Sequence, residues 1–243
     1  MKSKYLTTLS AALVLGTVIA SADHHGKKKT VANMATENMQ PNAKTQKTLT
    51  PDSVLAALVA GNEAYVAGQS SDPNIKARRA AGMEGQFPKA YILSCIDSRV
   101  PVEQVFSQGL GDLFVGRVAG NVENVDQLGS MEYAAAVGGV KLIMVLGHEA
   151  CGAVKGACDH VELGNITALL NNIKPAIKEV PGHEGQRTSK NKQFVAEVIE
   201  KNAAMTVEDI RKGSKILADM EKEGKIKIIG GVYSLETGKV TLL

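Results

Sequence analysis

The chain has no tryptophan, four phenylalanines and five tyrosines among 243 residues. So few flat rings leave little on which bases could stack, and no basic helix with interleaved aromatics offers a track for a phosphate backbone. Nucleic acid is therefore not an expected partner. The pI near 8.6 does not restore that reading. Seven of the 28 basic residues and two of the 25 acidic ones fall in the first 47 positions, leaving 21 against 23 in the remainder. Cysteine is scarce as well. Cys95, Cys151 and Cys158 are too few for a disulfide framework, and no Cys-x-x-Cys pair is present to run thiol–disulfide exchange.

No apolar run reaches the roughly 20 residues that a membrane-spanning helix needs. The longest such stretch near the start, Ala11 to Ala20, is interrupted by Gly16 and Thr17 and is preceded by Lys2 and Lys4. It ends in Ala20-Ser-Ala22, with small residues at both positions a signal peptidase reads. We expect residues 1–22 to be a cleaved secretory signal, which gives a periplasmic or secreted protein with no stable membrane span. Residues 23–47, rich in Lys, Asn, Thr and Gln without apolar periodicity, read as a flexible tail. His24-His25, followed by three lysines, could gather metal or anionic lipid, although a solvated tail is the plainer meaning.

From residue 48 onward about 195 residues remain, enough for one sizeable domain. Thr50-Pro51-Asp52 opens a helical pattern through Val54, Leu55, Leu58 and Val59 that ends near Gly68. Three short β-branched runs follow, Ala90 to Ile96, Leu113 to Ala119 and Lys141 to Leu146, and all read as buried strands. Asn124 to Val137 suits a helix crossing over a parallel sheet. Ile226 to Val232, joined through Glu236-Thr-Gly238 to Val240-Thr-Leu-Leu243, forms a hairpin pattern. Asn165 to Glu223 is mostly helical, with a break at 180–185. The fold class is α/β: a mostly parallel central sheet flanked by helices, with a C-terminal antiparallel edge hairpin.

Cys95 and His148 stand at the ends of two of those apolar runs, with Cys151 close behind. In open α/β sheets, ligands sit beyond the carboxyl ends of strands, so two thiols and an imidazole can converge there. Zn²⁺ favours Cys sulfur and His nitrogen, and a catalytic site keeps a fourth position beside three protein ligands. Either cysteine alone would read as a small core hydrophobe. A structural zinc site would call for four ligands in short paired knuckles, and only three soft donors are evident. Asp97 is the nearby carboxylate that could act on the fourth position.

Cys95-Ile-Asp-Ser-Arg-Val-Pro101, Arg117-Val-Ala-Gly-Asn121, Gly129-Ser-Met-Glu-Tyr133 and Gly147-His-Glu-Ala-Cys-Gly152 resemble, in order and spacing, the motifs of the β-class carbonic anhydrases. Gly61-Asn-Glu-Ala-Tyr65 and Gly231-Val-Tyr-Ser-Leu-Glu-Thr-Gly238 resemble that family's flanking segments, so the likeness covers about Leu49 to Leu243. The resemblance implies one zinc per chain on Cys95, His148 and Cys151, and reversible hydration of carbon dioxide to bicarbonate by a zinc-bound hydroxide. A bound water whose pKa falls toward about 7 makes that hydroxide available near neutrality. It also implies a homodimer or dimer of dimers, and an Asp97–Arg99 pair in which the guanidinium fixes a carboxylate that accepts a hydrogen bond from the hydroxide. In some relatives the matching Asp swings onto zinc. Gln86, Phe114, Tyr133 and Gly152 match positions around the substrate, a set that favours the open-site subtype. Without the resemblance Phe114 reads as core and Gln86 as surface.

Other readings use the same residues. Relatives of this family that hydrolyse CS₂ or COS would share the ligand set. A non-catalytic zinc-binding protein of the envelope would need neither Asp97 nor Arg99. His160 and His183 could relay protons, because an imidazole titrates near about pH 6.5. Cys158 reads as a buried helix residue.

Overall fold

The computed structural model describes residues 42–69, 75–180 and 186–243. The expected signal segment 1–22, most of the expected tail, His24-His25 and His183 lie outside the described residues. Five strands form one sheet in the order β2-β1-β3-β4-β5, with β1 Ala90–Ser94, β2 Leu113–Arg117, β3 Leu142–His148, β4 Lys227–Tyr233 and β5 Val240–Leu242. The first four run parallel, and β5 pairs antiparallel to β4 as the expected hairpin. β1 and β3 are buried at every residue, as strands in the middle of a parallel sheet must be when helices cover both faces. The edge strand β2 is only half buried.

Alternation along the strands divides the core. Tyr91, Leu93, Ile143 and Val145 point to one face, where they meet Met131, Ala134, Ala203, Val207 and Ile210. Ile92, Leu142, Met144 and Leu146 point to the other, against Val54, Leu58, Val102, Val105 and Phe106. The helix carrying Val54 and Leu58, α2 Pro51–Val66, follows a one-turn α1 Ala43–Gln46. It begins with a reciprocal cap between Thr50 and Ser53 and with Pro at its first position, where a missing N–H costs nothing. Next come α3 Ile75–Gly82 and α4 Val102–Val105, then α5 Val125–Glu132 between β2 and β3. Between β3 and β4 lie α6 Gly152–Cys158, α7 Gly164–Asn171, α8 Lys174–Glu179, the long α9 Lys192–Gly213 and α10 Lys215–Lys222. In α9 the buried set Val195, Val198, Ile199, Asn202, Ala203, Thr206 and Ile210 forms one stripe at helical spacing. Among the described residues no helix is long and apolar enough to cross a membrane.

Two local expectations need correction. Residues 42–47, the end of the stretch read as a flexible tail, contain α1. Asn42 caps it, and the Gln46 side chain donates to the Pro88 and Gly138 carbonyls at 2.9 and 2.7 Å. A single turn held by an amide needs no apolar stripe, so periodicity could not reveal it. The crossover helix expected over 124–137 does span that range, but its last part, Tyr133–Val137, is a π-turn in which Gly138 N–H donates five residues back to the Tyr133 carbonyl.

Candidate metal centre

Parallel pairing aligns the carboxyl ends of β1 and β3, with Ser94 opposite Leu146. Cys95 follows β1 directly, His148 is the last residue of β3, and Cys151 immediately precedes α6. Their ligand atoms lie within 4.8 Å of one another, and all three residues are buried. The two sulfurs are 4.0 Å apart. Ala150, at a left-handed φ of 55°, turns the chain so that Cys151 reaches back toward the imidazole.

Electrostatics and hydrogen bonding sharpen the assignment. His148 Nδ1 donates to the Glu149 carbonyl at 2.9 Å, which leaves the Nε2 lone pair free. Nε2 is fully buried and has no hydrogen-bond partner. An unpaired buried acceptor is costly unless something binds it, and here two thiol sulfurs flank it. The hydrogen bond with Cys151 holds the Cys95 thiol well below the ordinary range, and the same bond, with burial, pushes Cys151 upward. The Gly120 N–H also points at Cys95 Sγ, 3.4 Å away. This is a donor set that suits Zn²⁺, with soft sulfur, imidazole nitrogen and, among the described residues, no fourth protein ligand.

Asp97 stands beside the cluster but outside it. Its Oδ2 is 3.9 Å from His148 Nε2. Arg99 holds both carboxylate oxygens and also donates its backbone N–H to Oδ1. The guanidinium keeps the Asp97 carboxyl well below the usual carboxylate range. Arg117, at the end of β2, donates to the Cys95 and Asp97 carbonyls and so fixes the backbone that carries both side chains. Arg117 stood in a quoted motif, but its role there was not legible in the sequence. Asn202, from the middle of α9, was missed altogether: it donates to the Gly120 carbonyl at 2.8 Å behind the site.

The expected substrate residues are placed differently. Gly152 opens α6 next to Cys151, with open space where a Cβ would stand. Gln86 is exposed ahead of the amino end of β1, whereas Cys95 follows its carboxyl end. Phe114 pairs with Tyr91, three residues before the end of β1, and packs edge to face against Tyr133 with ring centroids 6.3 Å apart. These two rings line a surface cavity of about 760 Å³ together with Tyr91, Arg117, Val125 and Gln127, and none of the three metal-type ligands lines it. His160 lies exposed beyond the end of α6.

A buried Cys/His/Cys cluster at the carboxyl edge of a parallel sheet, flanked by a pinned carboxylate, has the character of a metal-dependent enzyme centre rather than a four-ligand structural zinc knuckle. The family model described as carbonic anhydrase matches residues 90–240. Carbonic anhydrase 2 of Mycobacterium tuberculosis is 35% identical over 198 residues, 79% of this chain and 92% of its own length. The carbonic anhydrase of Mycolicibacterium smegmatis is 36% identical, over 79% of this chain and 93% of its own. Among solved structures, one of two tetrameric β-carbonic anhydrases from Sordaria macrospora superposes with a TM-score of 0.60 at 21% identity, covering 78% of this chain and 96% of that one. The chain belongs to the carbonic anhydrase family and has the fold of the β-carbonic anhydrases.

Proposed function

We propose that this enzyme interconverts carbon dioxide and bicarbonate with one zinc ion per chain, held by Cys95 Sγ, His148 Nε2 and Cys151 Sγ. The observation that carries the reading is the buried His148 Nε2, unpartnered and facing two thiols. When bound, zinc supplies Lewis acidity that makes hydroxide available from water near neutral pH. This chain's residues then have separate tasks. Asp97, charged and pinned by Arg99, offers an acceptor oxygen to the reacting hydroxide, so that a lone pair and not the O–H bond faces the carbon. Because Arg99 holds both carboxylate oxygens, Asp97 is kept from becoming a fourth ligand, and the site stays open. Arg117 holds the backbone on which both depend. CS₂ or COS hydrolysis remains the second reading, since the same ligand set serves it.

The working unit in this proposal is at least a homodimer. Val125 and Val137 are 80% and 70% exposed, and Tyr133 is 51% exposed beside Phe114. Within one chain, Gln86 precedes the amino end of β1 and Phe114 lies near the amino end of β2, whereas Cys95 lies beyond the carboxyl end of β1. A second copy that covers this apolar face would bring its own Gln86, Phe114 and Tyr133 to the first copy's metal site. Two such dimers would make a tetramer, the state of the Sordaria proteins. The Lys2/Lys4 start, the short apolar stretch and Ala20-Ser-Ala22 support export, with cleavage after residue 22.

The deciding experiment is metal analysis and stopped-flow CO₂ and COS assays on one purified sample. One zinc per chain with fast CO₂ hydration is expected. A zinc-free protein of full activity would overturn the ligand assignment, and COS turnover without CO₂ hydration would select the second reading.

A further inference from the structure

We propose that Glu149 is a positioning residue that locks the imidazole of His148 by tying the metal loop to the turn between β4 and β5. The inference rests on the zinc reading above. Glu149 is exposed and touches none of the metal-ligand atoms, so its side chain would ordinarily be read as solvated surface. Its carboxylate is nevertheless engaged. Oε2 accepts from Ser234 Oγ at 3.1 Å, from Leu235 N–H at 2.9 Å and more weakly from Glu236 N–H at 3.4 Å. Two successive backbone donors and a hydroxyl converging on one oxygen make a small anion nest, and hydrogen bonds to an ionised acceptor are the stronger kind.

The same residue is held from its backbone side. Its N–H donates to the Tyr233 carbonyl at 3.0 Å, continuing the β3–β4 register in which His148 faces Tyr233. Its carbonyl oxygen is the acceptor for His148 Nδ1. The orientation of that peptide group therefore decides which ring nitrogen is protonated and where Nε2 points. On the far side Ala150 adopts the left-handed conformation, which a residue with a Cβ occupies only where its surroundings hold it there. Released from the hairpin, the 149–150 peptide could rotate. The Nδ1 acceptor would turn away, and the ring would lose both its tautomer and its aim. Outer partners of this kind are worth about 10–100-fold in metal affinity when removed.

The test uses the full mature chain loaded with zinc, compared with Glu149→Ala and the milder Glu149→Gln. An amide oxygen still accepts from the Leu235 N–H but without charge assistance. Three readouts are taken: the rate of zinc release to a chelator, the absorption spectrum of the cobalt-substituted protein, and the melting temperature of the metal-free protein. The expected result is roughly 10–100-fold faster zinc release in Glu149→Ala, a smaller increase in Glu149→Gln and an altered cobalt spectrum. The metal-free melting temperature should change little. Wild-type release rates and spectra in Glu149→Ala would overturn the proposal, as would a large melting change with unchanged zinc release in Glu149→Gln. If the wild-type chain itself bound no zinc, the zinc reading would fall instead, and the two failures are distinct.

Discussion

Arg99 holds Asp97 with two parallel hydrogen bonds, Nε to Oδ1 at 2.9 Å and Nη2 to Oδ2 at 2.7 Å, while Asp97 Oδ2 stays 3.9 Å from His148 Nε2. The planar fork leaves the carboxylate little freedom to turn toward the metal position, which a point-like ammonium could not ensure. We predict that Asp97→Asn retains zinc but loses about 10²–10⁴-fold in CO₂ hydration, because the amide can present a donor where an acceptor is needed. Arg99→Ala should fall comparably, since an unpinned Asp97 can swing onto the metal. Near-normal turnover by Asp97→Asn, with zinc confirmed in the same preparation, would reduce this carboxylate to a structural role.

Replacing Cys95, His148 or Cys151 singly by Ala should abolish zinc binding and hydration together. The three donors are the whole cluster among the described residues, so no spare ligand can compensate. Elemental analysis decides it, and a full zinc complement in Cys151→Ala would break the assignment.

Subunit mixing tests the proposed dimer. A Cys95→Ala chain lacks a working metal site but carries an intact Gln86, Phe114 and Tyr133. A Tyr133→Ala, Gln86→Ala chain has the reverse defect. If the pocket residues act on the other copy's metal, co-folding the two should restore up to about a quarter of wild-type activity, because half of the dimers are hybrids with one complete site each. Activity no higher than the mean of the two parents would show that each chain builds its own pocket.

Different parts of this site were legible in the sequence for different reasons. Cys95 and His148 could be placed because β-branched runs ending in a soft ligand locate that ligand at a sheet edge, whatever the loops do. Asp97 and Arg99, two positions apart, carried their partnership in the chain. Asn202 carried no such mark. It sits in an amphipathic stripe and faces Gly120 across 82 positions, a contact that only the packing of α9 on the sheet creates. The π-turn at Tyr133–Val137 was equally invisible, since its composition suits an ordinary helix. Phe114 shows the remaining limit: the family likeness links it to the substrate, yet in a single chain it lies among cavity residues that exclude the metal ligands.

Cys158 supplies a pH prediction. Burial pushes its thiol from 9.0 up to about 11, so the folded state keeps a proton that the unfolded chain releases at lower pH. Its contribution to stability is fully present below pH 9 and is lost as pH rises through about 11. Tyr91, raised by burial to about 12, extends the same trend. The slope from one proton is at most about 1.4 kcal/mol per pH unit. Denaturant unfolding between pH 8 and 11, at matched zinc loading, should therefore show a shallower decline for Cys158→Ala than for wild type. Parallel curves would mean that this thiol does not titrate as its burial requires.

Gly120 links the packing of Ile173 and α9 to the Cys95 sulfur. Its φ of +78° lies in the left-handed region, and a Cβ there would come within 2.6 Å of Ile173 Cδ1. Its N–H points at Cys95 Sγ, and its carbonyl receives the Asn202 amide. Gly120→Ala should therefore be destabilising twice over, through backbone strain and through the clash, by about 1–3 kcal/mol in the metal-free protein. The zinc-loaded protein should lose more, because moving this peptide also removes a hydrogen bond that orients a ligand sulfur. Asn202→Ala separates the two effects: it leaves the backbone free of strain but strands the buried Gly120 carbonyl, at a cost of about 1–3 kcal/mol. Melting curves with and without zinc measure both variants. The coupling is disproved if Gly120→Ala lowers the two melting temperatures equally and its zinc affinity matches wild type.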